Sequence, residues 1–247
     1  MDAIIQARIG STRLPNKIFK SLCGHPLIWH VVQRLKYSKE LERIIIATTN
    51  NKNDDIIEDW CIKEKIPCYR GSESNVLSRY YDAAKKYNCQ NIVRITADDP
   101  FKDPEIIDSV IRMFRDEQLD FAYNNLPTTF PEGLDTEVFT FALLENAFFS
   151  STDSFEKEHV TQFFFRNLNL IKSNNFFNTN DLSWMRWTID TNVDFEMVSL
   201  VYNSLYKENS IFLYSDIIKY LNENPEISQM NLEVKRSDMY NKNAKSN

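Results

Sequence analysis

Between residues 3 and 123 short apolar runs alternate with stretches of helical periodicity, and this alternation constrains the fold more than any other feature. Residues 3–7 read as a buried strand and residues 43–48 as a β-branched run; residues 67–69, 91–96 and 120–123 continue the series. A helix is predicted to open near Pro26, a favoured first helical residue, with Leu27, Val31 and Leu35 on one face. Further helical patterns cover residues 54–65, 75–87 and 104–114. Strands separated by helices of about 10–15 residues need crossover connections. The expectation is therefore an α/β chain with a doubly wound, mostly parallel sheet flanked by helices. After Asn124 the rhythm changes. Residues 134–141 alternate as a strand, and residues 186–190 look like the end of another. Helices are expected over residues 142–149, 154–167, 193–205 and 215–221, and the stretch from 238 to 247 reads as a flexible polar tail. With no repeat or linker in between, residues 1–237 read as one domain of two halves, 1–124 and 125–237.

Composition narrows the function classes. The chain has 247 residues, 43% of them hydrophobic and 26% charged, an ordinary globular balance. No apolar run approaches the ~18 residues of a membrane span, and the first residues lack the basic start and apolar core of a secretory leader. A cytoplasmic location with no membrane partner is expected. Cys23, Cys61, Cys68 and Cys89 form no CxxC pair, so buried thiols are expected rather than disulfides or zinc. Lys plus Arg number 29 against 35 Asp plus Glu, a net charge of −6, which disfavours a nucleic-acid partner. Yet from Ala3 to Lys39 there is no acidic residue, where about five would be expected. A cationic stretch in an acidic protein suits a small polyanion.

Three segments carry candidate chemistry. The first, Gln6 to Lys17, reads QARIGSTRLPNK directly after the first strand. In α/β folds ligands bind at the carboxyl ends of strands. Gly10 would let backbone N–H groups approach phosphate, Ser11 and Thr12 add hydroxyls, Arg13 offers a fork and Lys17 a mobile charge. The segment is neither a Walker loop nor a GxGxxG turn. The second, IVRITADDP over residues 92–100, runs from an apolar strand into Asp98 and Asp99, hard oxygen donors that suit Mg2+. The third, RWTIDT over residues 186–191, also ends on an acid; Asp190 as metal ligand and Asp190 or Thr191 as helix cap fit it equally. Only four glycines occur where average usage of ~7% would give about seventeen. They are Gly10, Gly24, Gly71 and Gly133, all in or beside such segments.

The motifs resemble the cytidylyltransferases that include the spore-coat polysaccharide biosynthesis protein F group and, more distantly, the enzymes that activate Kdo and sialic-type acids. The resemblance rests on residues 6–17, on Gly24 to Leu27, on YRGSE at 69–73 and on Arg94 to Pro100. It continues through DPE at 103–105, PEGLDTEV at 131–138, EHVT at 158–161 and 186–191. It spans nearly the whole chain to about residue 205. One departure is Ala97, where the family usually has glycine. The resemblance implies a nucleotidyltransferase fold of the GT-A-like kind and transfer of CMP from CTP to an acidic acceptor, with Mg2+ as cofactor. By the same resemblance residues 1–124 bind nucleotide, and residues 125–237 bind acceptor and support a homodimer. Arg13, Lys17, Asp98 and Asp190 take catalytic roles, with Asp98 and Asp190 holding the metal. Ala7, Arg8, Gly10, Ser11, Arg13, Lys17 and Arg70 bind the nucleotide. Asp135, Glu137, His159 and Arg186 bind the acceptor, an acidic sugar or alternatively a sugar phosphate, polyol phosphate or phosphonate. A glycosyltransferase is the rival of another class; it would need a DxD, which Asp98-Asp99 only approximates.

Overall fold

The computed structural model describes residues 1–11 and 13–235. Thr12 and the expected tail lie outside the described residues. The first strands are β1 (Asp2–Gln6), a small hairpin of β2 (Ser21–Leu22) and β3 (His25–Pro26), β4 (Arg43–Thr49), β5 (Cys68–Gly71) and β6 (Asn91–Thr96). β7 (Phe121–Tyr123), β8 (Glu137–Thr140) and β9 (Ser173–Asn175) follow. The helices of the first half are α1 (Leu27–Leu35), α2 (Asp55–Glu64), α3 (Val76–Lys86) and α4 (Pro104–Asp116). The second half holds α5 (Phe141–Ser150), α6 (Ser154–His159), α7 (Gln162–Arg166), α8 (Asn192–Leu205), α9 (Tyr214–Glu223) and α10 (Pro225–Gln229).

Seven strands form one sheet in the order β5-β4-β1-β6-β8-β7-β9. Every pairing is parallel except those of β8, which runs antiparallel to both β6 and β7. The expected doubly wound, mostly parallel sheet is therefore present. Both faces are covered, which is why its strands read as unbroken apolar runs. In β1, Ala3 and Ile5 face a core built with α1, α4 and α8, while Ile4 faces a second core built with α3 and α5.

Local chemistry sets the helix starts. Asn75 accepts a hydrogen bond from the Ser78 N–H at 2.9 Å, and Asp103 caps α4 from the Glu105 N–H at 2.9 Å ahead of Pro104. Two expectations fail in the second half. Residues 154–167 are not one helix: the chain breaks at Val160, whose φ of 55° is rare for a β-branched residue. The break lets the Thr161 hydroxyl reach Glu137 at 3.1 Å. Residues 186–190 make no sheet strand; a single bridge joins Arg186 to Glu132, and side-chain ion pairs hold the segment in place of a ladder. The four cysteines are free, with Cys61 and Cys89 buried and Cys23 and Cys68 half-buried.

Candidate active site

The segments singled out by sequence converge on one cleft of about 680 Å3 at the carboxyl ends of β1 and β6. Lys17 stands just after the loop that leaves β1. Its ammonium donates to Asp98 Oδ2 at 2.6 Å, to Asp190 Oδ1 at 2.8 Å and to the Ile189 carbonyl at 2.9 Å. Residues 17, 98 and 190 are remote in sequence, and the backbone joins the two acidic segments where the Ile189 N–H donates to the Asp98 carbonyl at 3.0 Å. Arg13 closes the group with an ion pair to Asp190 Oδ2 at 3.0 Å. Burial opposes the charge on Lys17, but Asp98 and Asp190 outweigh it and hold its pKa above the ordinary lysine value. Burial likewise works to raise the Asp190 pKa; Lys17, and then Arg13 and Arg186, overcome it and keep the carboxyl below its usual range.

Of the two capping candidates in residues 186–191, Thr191 takes the role. Thr191 caps α8 in a reciprocal capping box with Asp194, which leaves the Asp190 carboxylate facing the cleft. Ala7, Arg8, Gly10 and Ser11 line the cleft. A Cβ at Gly10 would meet only Glu73 Oε1, at 3.8 Å, so the protein's own packing does not demand glycine there. The loop is pinned from below by Asp54, a buried carboxylate that accepts the Ile9 N–H at 2.7 Å.

Two residues fall elsewhere than expected. Arg70 does not line the cleft: its guanidinium turns to Asp55 at 2.6 Å and Glu58 at 2.9 Å on α2 and to the Thr49 and Asn51 carbonyls. Arg186 is only 3% exposed. It pairs with Glu132 at 2.8 Å, Asp190 at 2.9 Å and Asp194 at 2.9 Å. An extended strand would carry residues 186 and 190 about 13 Å apart; here the chain curls and they form an ion pair. Arg186 thus orients Asp190 from behind instead of reaching a ligand.

Asp135, Glu137 and His159 do line the cleft. Glu137 is buried beneath Arg94 at 2.8 Å, Asn125 at 3.0 Å and Thr161. The loop before it packs so closely on residues 187–188 that a Cβ at Gly133, whose φ is +105°, would sit 2.9 Å from the Thr188 nitrogen. Lys102, Arg79 and Asp194 escaped sequence reasoning. Lys102 lines the cleft with its ammonium on Asp99 at 3.0 Å and on the Asp135 carbonyl. Arg79 enters from α3, 2% exposed, and binds the Ser72 carbonyl. Arg79 and Asp194 on helices and Lys102 in the turn before α4 read as surface charge, and only the fold reveals them as inward-facing. His30 is buried on α1 with Nε2 2.6 Å from the Leu22 carbonyl. Trp187, 1% exposed, belongs to the core.

A loop at the end of β1 with cations upon it and two carboxylates opposite, on this sheet, is the arrangement of a nucleotidyltransferase of the α/β class. The sequence profile described as cytidylyltransferase matches residues 3–234, and the chain belongs to that family. The chain is 33% identical over 231 residues to the spore coat polysaccharide biosynthesis protein SpsF of Bacillus subtilis, with 90% of this chain and 94% of that protein covered. The solved structure of a cytidylyltransferase from Leptospira borgpetersenii superposes with a TM-score of 0.87 at 35% identity, over 92% of this chain and 95% of that one. The structure of CMP:2-keto-3-deoxy-manno-octonic acid synthetase complexed with CTP shares the fold, with a TM-score of 0.61 at 16% identity, over 83% of this chain and 98% of that one. The protein is an enzyme, a cytidylyltransferase that uses CTP. Among the described residues no helix is long and apolar enough to cross a membrane.

Proposed function

We propose that the enzyme transfers CMP from CTP to a hydroxyl of an acidic sugar, releasing pyrophosphate and giving an activated sugar for glycan assembly. The observation that carries this reading is the meeting of Lys17, Asp98 and Asp190 in one cleft beside the Gly10 loop. In-line transfer at the α-phosphate needs positioning and charge stabilisation more than covalent chemistry. Arg13 and Lys17 bind the β- and γ-phosphates and balance the charge that grows on pyrophosphate. The Gly10 loop supplies N–H groups to the same phosphates, and Ala7 and Arg8 line the nucleotide side.

Among the described residues no cluster of three or more His, Cys, Asp or Glu forms a self-sufficient metal site. Two carboxylates that already grip a cation between them do suit Mg2+, which takes few protein ligands when phosphate oxygens provide the rest. Asp98 and Asp190 would hold it. When bound, the ion supplies charge neutralisation at the α-phosphate.

On the acceptor side Arg186 is already committed to three carboxylates, so the cation for an acidic group comes from elsewhere. Lys102 has three N–H donors, and Asp99 and Asp135 account for two. Lys102 gives the acceptor half a positive charge for a carboxylate or phosphate, and the His159 ring lines the same cleft. Asp135 and Glu137 order the hydroxyl-bearing end.

Pyrophosphate release, measured with each of the four nucleoside triphosphates against a panel of acidic sugars, sugar and polyol phosphates and phosphonates, tests the reading. The expected outcome is release with CTP and an acidic sugar. Release only with a phosphorylated acceptor corrects the acceptor class, and release independent of any acceptor overturns the proposal.

A further inference from the structure

In this structure an ammonium group occupies the space between the two carboxylates read above as metal ligands. Lys17 is 12% exposed, and three oxygens, on Asp98, Asp190 and the Ile189 backbone, take its three N–H donors at 2.6 to 2.9 Å. Arg13 takes the outer oxygen of Asp190. Arg186 touches that oxygen too, but Glu132 and Asp194 match its charge from behind. Two cations therefore face two carboxylates on the cleft side, and the acids have little negative charge left to attract a free ion.

A divalent ion arriving alone must displace a buried ammonium from full hydrogen bonding and leave it beside a second positive charge. Both consequences oppose binding. A nucleoside triphosphate reverses the balance, because its phosphates bring several negative charges to the same mouth. They offer Lys17 and Arg13 charge-assisted hydrogen bonds that replace the ones they leave. The lysine stem has four rotatable carbons, so the ammonium moves by a change of rotamer while the 3-10 turn at Lys17–Phe19 stays in place. Arg13 is 53% exposed and freer still.

We propose that Lys17 is an internal counter-cation that makes metal loading of Asp98 and Asp190 conditional on nucleotide, an inference that rests on the reading of those two residues as the metal carboxylates. Without CTP the ammonium holds the pair closed. With CTP it passes to the phosphates, and the carboxylates open to the ion. A lysine that only binds triphosphate predicts that its removal weakens every binding event. The counter-cation predicts one event that becomes stronger: metal binding in the absence of nucleotide.

The test is a Mn2+ titration, followed by the electron paramagnetic resonance of the free ion, on wild type, Lys17→Met and Lys17→Gln without nucleotide. Wild type is expected to bind weakly. Each variant is expected to bind at least about tenfold tighter, the scale on which one neighbouring like charge acts. Adding Asp98→Asn to either variant removes the gain. Circular dichroism and thermal unfolding confirm the fold of both variants, and Lys17→Gln, which keeps a donor between the acids, reads the effect if Lys17→Met is unstable. The metal reading is checked separately by calorimetry of CTP with wild type in Mg2+ and in chelator. Equal affinity there overturns that reading and the proposal with it. A Mg2+-dependent wild type with no gain in either Lys17 variant overturns the proposal alone.

Discussion

The two halves of the molecule deliver charged groups to one cleft by different means. In the first half the backbone delivers them: β1 and β6 end side by side in parallel register, and whatever follows each strand emerges at the same edge. Two of the helix starts there, those of α3 and α4, are set by capping residues two or three positions away. In the second half side chains replace the ladder. Asp194 Oδ2 accepts the Asp190 N–H at 3.0 Å and the Thr191 N–H at 2.9 Å, while its Oδ1 takes Arg186 and Asn231. Periodic backbone positions a group cheaply and visibly, whereas a buried web of charges positions it through partners that can lie anywhere in the chain.

The contrast breaks or sharpens under substitution. Arg186→Met strands Glu132 and Asp194 in the interior and should lower stability by about 3–5 kcal/mol, as breaking a buried pair does. Urea unfolding reads it, and a variant as stable as wild type that only loses acceptor affinity would return Arg186 to the acceptor site. Asp98→Asn, at the end of a regular strand, should leave the unfolding midpoint nearly unchanged while turnover falls about a hundredfold or more. Near-normal turnover removes Asp98 from the chemistry.

A smaller effect sits where α1 packs on α8, with the His30 ring 4.7 Å from that of Tyr202. Burial pushes the His30 pKa down to about 4, below its ordinary 6.5. The unfolded chain therefore takes up the proton first. Stability is full above about pH 6.5 and falls by about 3 kcal/mol as the pH drops toward 4. His30→Gln should flatten that window in urea titrations at stepped pH, while the losses tied to the depressed Asp190 and Asp194 begin only at lower pH. Last comes a pair of arginines. Arg13→Ala should lower kcat/KM for CTP about tenfold. Arg70→Ala, whose partners are exposed carboxylates on α2, should leave it unchanged and cost less than about 1 kcal/mol of stability. Equal losses in the two would restore Arg70 to the nucleotide site.

This division also marks what the sequence makes legible. Runs of two kinds, apolar strands and i, i+4 helices, identify β1, β4 and β6 and the helices between them, and a strand's end locates Lys17 and Asp98 without any knowledge of the fold. Arg186 illustrates the limit. Its alternation with Asp190 imitates a strand, yet three carboxylates at positions 132, 190 and 194 decide its conformation, and no local pattern announces them. Lys102 and Arg79 are hidden for a related reason: a cation on a helix or turn looks solvated until tertiary packing turns it inward. The break at Val160 is the same lesson in the backbone, where a hydroxyl contact to Glu137 overrides helical propensity.

The single reversed strand, β8, has an evolutionary consequence. Running against its neighbours, it enters the sheet at the ligand edge, with Glu137 opposite Arg94. The chain that precedes it is therefore laid along the cleft, where Glu132, Gly133 and Asp135 line the wall. That stretch belongs to none of β1, β4 or β6, but Glu132 pairs with Arg186 and Gly133 packs on residues 187–188, so two of its positions are fixed by the opposite wall. Under the acceptor role proposed above, a lineage of such enzymes could exchange one acceptor for another only at positions of this stretch other than Glu132 and Gly133, while β1, β4 and β6 stay unaltered.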